Sequence, residues 1–157
     1  MPDTIEAKLS AMGITLPSPP SPIANYAPFT IAGNLLFISG QGPRTAKNGG
    51  WKTGRVGERV TVNEAYQDAR LAAIQILAVA KAALGSLDRV HRILKVVGFV
   101  NASPDFRSHP AVINGCSDLL VEVLGERGRH ARSAVGVNSL PEDITVEIEA
   151  ILEIEPG

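Results

Sequence analysis

Few residues of this 157-residue chain are of a type that does chemistry, and most of them stand apart. Cys116 is the one cysteine, so it closes no disulfide within the chain, and His91, His109 and His130 lack the Cys/His spacing of a zinc site. Ser39, His91 and Asp105 could be recited as a hydrolytic triad, yet no serine sits in the Gly-x-Ser-x-Gly frame of a nucleophile elbow. Gly49-Gly50 and Gly54 lack the Gly-Lys-[Ser/Thr] ending of a phosphate loop. Two denser patches remain. Residues 126–132, Glu-Arg-Gly-Arg-His-Ala-Arg, are locally basic but amount to one short turn, too little for an RNA surface. Near the carboxy terminus Glu147, Glu149, Glu153 and Glu155 interleave with Val146, Ile148, Ala150, Leu152 and Ile154, which puts four carboxylates on one side of a strand, either as a solvated face or as part of a site.

The composition narrows the ligand. With 15 Lys+Arg against 16 Asp+Glu the formal net charge is −1, which demotes nucleic acid as a partner, because affinity for many phosphates needs an excess of cations on one face. Any charged ligand must be held by single placed residues. The stretch Met1 to Leu16 has no apolar run of signal-peptide length and nowhere do about 18 apolar residues run together, so a soluble, cytoplasmic protein with no membrane partner is expected.

The elements that must position these groups follow from periodicity and punctuation. Residues 3–12 suit a short peripheral helix, with Ile5, Leu9 and Met12 at helical spacing and Gly13 as its stop. The prolines between Leu16 and Pro28 impose an extended segment. Phe29–Ala32 and Leu35–Ser39 form a hairpin about Gly33-Asn34, and 42–59, rich in Gly, Lys and Arg, is a long loop of the kind that often carries function. Thr61 and Glu64 make a capping box for a helix whose stripe is Ala65, Ala69, Ala72, Ala73, Ile76, Ala80 and Ala83, ended by a left-handed Gly85. Residues 90–101 read as a strand with a bulge at Gly98; Ser108 caps a second helix with Pro110 in its first turn, a stripe of Val112, Cys116, Leu119, Leu120 and Val123, and a stop at Gly125. Strands 133–138 and 144–154 close the chain around a turn at Leu140–Asp143. The sum is an α+β domain, a mixed β-sheet with two helices packed on one face. Its other face, to which Leu35, Phe37, Val96 and Phe99 are assigned, then needs a cover, which oligomerisation would supply.

The stretch 131–154, Ala-Arg-Ser-Ala-Val-Gly-Val-Asn-Ser-Leu-Pro-Glu-Asp-Ile-Thr-Val-Glu-Ile-Glu-Ala-Ile-Leu-Glu-Ile, closely resembles the signature of the YjgF/RidA family of reactive-intermediate (imine/enamine) deaminases, formerly called endoribonuclease L-PSP. Further matches run through Asn25-Tyr26, Gly33 to Gln41, Ala83-Leu84-Gly85, Val96 to Val100, Phe106 and Asn114, so that the resemblance spans about residues 22–155 in order. It implies the chorismate-mutase-like fold, assembled as a homotrimer with sheets facing inward and clefts between subunits, and hydrolysis of 2-imino acids to 2-keto acids and ammonia without metal or organic cofactor. The domain would be 17–157, with 1–16 as an amino-terminal extension.

The same resemblance assigns site residues. Arg132 would clamp the substrate carboxylate, for which a guanidinium offers two parallel N–H bonds; by position alone it could equally be a strand arginine paired to a neighbouring glutamate. Glu147 would serve as acid/base toward the attacking water and the leaving nitrogen, with Glu149 as the competing candidate on the same strand face. The backbone of Ala134 stands where the family often has cysteine. Tyr26, Ser39, Gly40 and Asn114 match cleft-lining positions, and Gly40 suits close approach of its N–H to a carboxylate. Trp51, in a loop longer than that of compact members, would be a lid over the cleft or a surface anchor. A trimeric protein that binds a small carboxylate without turning it over, and an endoribonuclease or translation inhibitor, are the alternatives.

Overall fold

The computed structural model describes residues 4–19, 21, 24–45 and 49–156; Asp3 of the expected first helix and parts of the expected 16–28 and 42–59 segments lie outside the described residues. The elements are α1 (Ile5–Ala11), β1 (Phe29–Ala32), β2 (Leu35–Gln41), α2 (Val62–Leu84), β3 (Val90–Asn101), α3 (His109–Leu124), β4 (Ala131–Val137) and β5 (Val146–Ile154), with short 3₁₀ turns at Leu87–Arg89, Gly125–Gly128 and Pro141–Asp143. The strands form one mixed sheet in the order β1-β2-β5-β3-β4, antiparallel except for the β3–β4 pair.

Helix α2 begins on the expected capping box, with Glu64 N–H donating to Thr61 Oγ1 while the Glu64 carboxylate accepts from the Thr61 backbone, and Gly85 ends it at φ 80°. Its stripe is buried from Ala65 to Ala80, with Ala83 half-buried, and lets α3 come close. Gly115 of α3 lies against the Tyr66 carbonyl and Ala69, and a Cβ there would collide with the Tyr66 oxygen. Val112, Cys116, Leu119, Leu120 and Val123 of α3 are buried as expected. Burial pushes the Cys116 thiol up to about 12, so it behaves as a small apolar side chain.

Several local expectations are corrected. Ser108 makes no side-chain cap; Pro110 near the start leaves fewer N–H groups in need of one. Gly98 is not a bulge, since the irregularities of β3 against β5 lie between Val90 and Arg92 and between Ile93 and Lys95; Gly98 instead makes room for Ile113 of α3, whose Cδ1 would lie 2.6 Å from an added Cβ. Helix α1 is not peripheral, because Ile5 and Leu9 are buried in the main core, the Ile5 N–H donates to Asp88 Oδ1 and Glu6 Oε1 accepts from the Leu87 N–H.

Val96 also changes sides. It is fully buried beneath the helices, as are Val100 and Ile148, so the opposite face of the sheet carries Leu35, Phe37, Val97, Phe99, Val135 and Ile151 with Glu147 and Glu149. Phe37 and Val135 there are 37% and 43% exposed. The four carboxylates of the last strand divide: Glu153 pairs with Arg92 at 2.6 Å and Glu155 with His91 at 3.2 Å, while Glu147 and Glu149 have no cationic partner among the described residues.

Candidate functional site

Strand β5 carries Glu147 opposite Phe99, pointing away from the helices. The end of β2 passes alongside with Gly40 turned toward it, and this glycine is what makes room: an added Cβ would lie 2.8 Å from Glu147 Cδ and 3.0 Å from Oε2. Glu147 thereby fills space that any other residue at 40 would occupy. Burial, then the neighbouring Glu149, holds its carboxyl above the usual glutamate range, which suits a group that must both take and return a proton.

A cavity of about 110 Å³ opens beside Glu147, walled by Tyr26, Pro28, Gly40, Trp51, Ile144 and Glu147. Trp51 is fixed there by main-chain pairing. It bridges to Arg44, the next residue but one, Thr53, bridges to Ile144, the Lys52 N–H donates to the Pro43 carbonyl, and the Gly54 N–H donates to the Asp143 carbonyl. The buried Asn101 side chain completes the seam by donating to the carbonyls of Gly54 and Ile144 and to Asp143 Oδ1. The six-ring of Trp51 lies over Gly42, where a Cβ would stand 2.9 Å from Cζ3. The described part of the expected loop is therefore a strap sewn to the 143–145 turn, and Trp51 is a wall of the cavity.

Arg132 is elsewhere. In the parallel β3–β4 register it faces Val96, so it leaves the sheet on the helix side, beside α3. Its Nη1 donates to Asn114 Oδ1 at 2.8 Å and to Ser117 Oγ at 3.1 Å, two residues one helical turn apart. Both Nη1 hydrogens are thus used, while Nε and Nη2 have no partner and the guanidinium has no carboxylate among the described residues. Among the described residues no glutamate pairs with it. Next to it His130 Nδ1 lies 2.6 Å from the Gly128 carbonyl and Nε2 lies 2.8 Å from Ser117 Oγ, and a shallow recess is lined by Ser117, Asp118, Val121, Arg129, His130 and Arg132.

The expected residues fall into two groups. Tyr26, Gly40, Trp51 and Glu147 meet at the cavity; Arg132 lines the recess and is hydrogen-bonded to Asn114, with Ala134 two residues along β4, half-buried opposite Gly98. The groups leave opposite faces of the sheet and do not join within one chain. Ser39 belongs to neither contact set, since its hydroxyl donates to the Ala27 carbonyl at 2.6 Å and anchors the segment that brings in Tyr26. Reasoning from sequence missed Gln41 and Glu142 in the cavity wall and Ser117 and His130 around the arginine. Ser117 had a signal: it stands three residues after Asn114, on the same face of a helix. Glu142 had none, because its place depends on two successive non-glycine residues at positive φ, Glu142 at 56° and Asp143 at 57°.

Known proteins resemble this chain along nearly all its length. A family model described as YjgF/chorismate_mutase-like, putative endoribonuclease, matches residues 6–148. Protein TCP17 of Trypanosoma cruzi is 44% identical over 151 residues, covering 96% of this chain and 94% of that protein. The 2-iminobutanoate/2-iminopropanoate deaminase of Dermatophagoides farinae is 30% identical over 142 residues, covering 90% and 95%. Among solved structures, the protein Atu1372 of Agrobacterium tumefaciens, of unknown function, superposes with a TM-score of 0.88 at 50% identity, covering 98% of this chain and 95% of that one.

Proposed function

We propose, from the premise that this chain belongs to the YjgF/chorismate mutase-like family, that it hydrolyses 2-imino acids and their enamine tautomers to 2-keto acids and ammonia in a cleft formed between copies of itself. The observation that carries the reading is the guanidinium of Arg132, held from one side by Asn114 and Ser117, with its Nε/Nη2 edge unpartnered and no acid on it among the described residues. An arginine so left is a receptor for a ligand carboxylate. The deaminase name of the mite relative supports the same chemistry.

In this reading the chain is a homotrimer whose sheets face inward, so that the exposed Phe37 and Val135 are covered and the Arg132 side of one subunit meets the Glu147 side of the next. The imino acid carboxylate lies on the Nε/Nη2 edge, with the backbone at Ala134 completing its contacts. Glu147, as carboxylate, takes a proton from water, and the water oxygen attacks the C=N carbon. That proton passes to nitrogen to give the carbinolamine; Glu147 then takes the carbinolamine hydroxyl proton and hands it to the amine, the C–N bond breaks, and ammonia leaves as the carbonyl forms. Proton bookkeeping closes on one glutamate. The side chain of the substrate lies against Trp51 and Tyr26.

The test uses imino acids generated in place by an amino-acid oxidase, with keto-acid and ammonia release followed in the presence of the protein. Acceleration is expected, and Arg132→Ala is expected to lose about 30- to 150-fold, equivalent to about 2 to 3 kcal/mol for a hydrogen-bonded charge. No acceleration with small or bulky imino acids, by a folded oligomer, overturns the reading. Steeply salt-dependent RNA binding in its place favours the endoribonuclease description of the family.

A further inference from the structure

Ser117 and His130 are not needed to write the reaction, yet they are built around its arginine. We propose that they are positioning residues, which hold the Arg132 guanidinium in one plane with its Nε/Nη2 edge turned to the substrate carboxylate; this rests on the deaminase reading of Arg132.

An arginine on an edge strand has many rotamers, and a single bond to Asn114 leaves its plane free to swing. A second acceptor on the same nitrogen removes that freedom. A serine hydroxyl is an ambiguous choice for the task, because it can turn its hydrogen toward the arginine as readily as its lone pairs. His130 resolves the ambiguity. The Gly128 carbonyl can only accept, so the proton of the neutral ring sits on Nδ1 and Nε2 is a bare acceptor. Nε2 takes the Ser117 hydrogen, and a serine lone pair is left facing Arg132 Nη1.

The surroundings maintain that arrangement. Burial, together with the charge of Arg132, holds the His130 ring below the usual histidine range despite the pull of the Gly128 carbonyl, and this favours the neutral ring. The charged groups facing the same recess are Arg132 on β4, Arg129 in the preceding segment, whose Nε is paired to Glu126 at 3.0 Å, and Asp118 on α3, whose Oδ2 accepts from the Tyr66 hydroxyl at 2.6 Å. Asp118 is thereby engaged from α2, and the free edge of Arg132 is kept for the ligand.

The full chain is compared with Ser117→Ala, Ser117→Thr, His130→Ala and the double variant Ser117→Ala/His130→Ala, reading KM and kcat for imino acid hydrolysis and Kd for the product analogue 2-oxobutanoate. Ser117→Ala is expected to raise KM and Kd about tenfold while kcat falls less than about threefold, and Ser117→Thr, which keeps the hydroxyl, to recover most of the loss. The double variant is expected to be no worse than Ser117→Ala, because His130 acts through the serine. Nitrogen-15 NMR of wild type is expected to place the His130 proton on Nδ1 and to give a sharp Arg132 Nε–H signal that broadens in Ser117→Ala. Unchanged KM and Kd in folded Ser117→Ala, additive effects of the two single variants, or a proton on Nε2 each overturn the proposal. So does covalent labelling of Ser117 by a fluorophosphonate, which would make the pair a nucleophile. If the wild type turns over no imine and binds no keto acid, the deaminase reading fails, and the two NMR signals still decide whether Ser117 and His130 fix the arginine.

Discussion

The Glu147 region and the Arg132 region are built on opposite principles. Around Glu147 the walls are aromatic and apolar, the charges are acidic, and the approach is made possible by an absent side chain at Gly40. Around Arg132 the contacts are polar side chains, with Asn114 and Ser117 accepting from Nη1 and His130 behind the serine, while Nε and Nη2 have no partner among the described residues. Among the described residues Glu147 has no cationic partner and Arg132 has no carboxylate partner. The sheet lies between them within one chain, so in the proposed trimer each would be completed by the other from a neighbouring subunit.

The sharpest way to break the comparison is to separate the halves. If a cleft takes Arg132 from one subunit and Glu147 from the next, Arg132→Ala and Glu147→Gln oligomers are each nearly inactive, while an equal mixture exchanged between them regains about a quarter of wild-type activity, the share of clefts that receive both intact halves by chance. Activity of the mixture no higher than that of its parents would place both residues in the same cleft half and end the two-chain account. Next in size, Glu147→Gln alone is expected to lower kcat by about 10² to 10⁴. Its pH profile separates the residue from a structural one: the base form is required, so wild-type kcat/KM falls as pH drops through the Glu147 pKa, and because burial and Glu149 raise that pKa the fall begins above the usual glutamate range. Glu147→Gln should lose that limb.

Gly40→Ala tests the crowded side with one methyl group, which must displace Glu147; a loss of about 30-fold in kcat with little change in 2-oxobutanoate affinity is expected, since the carboxylate is held by the other half. The smallest effect should come from Trp51→Ala, about tenfold in kcat/KM for bulky apolar imino acids and less for the smallest ones, measured as a ratio between two substrates. Equal losses for all substrates would mean that Trp51 supports the strap and not the ligand.

Much of this was legible in the residues. Helix α2 declares its start with Thr61 and Glu64 and its end with Gly85, and β3 runs over the 90–101 stretch that its β-branched residues mark. The glycines divide by cause. Gly33 and Gly85 are turn and cap glycines, which local rules find, whereas Gly98 and Gly115 exist for Ile113 and the Tyr66 carbonyl, partners fixed only by tertiary packing. Val96 was assigned to the open face because a run of apolar residues gives no phase; burial beneath the helices decides it. At the site, the family signature pointed to Arg132 and Glu147, but that they leave opposite faces follows from the parallel β3–β4 register, which no local pattern encodes. His130 escaped notice because its value lies in a tautomer set by the Gly128 carbonyl.

The strap that carries Trp51 has a kinetic consequence. To swing that indole aside the chain would have to break the Lys52–Pro43 and Gly54–Asp143 main-chain bonds together with the bonds made by Asn101, an event on the scale of local unfolding. The amide hydrogens of Lys52 and Gly54 should then exchange with solvent as slowly as those of the sheet. Traffic of substrate and product is left to the open side of the cavity; in the proposed trimer a neighbouring subunit would stand there, and turnover would be throttled by breathing at the seam between chains and not by a flap within one.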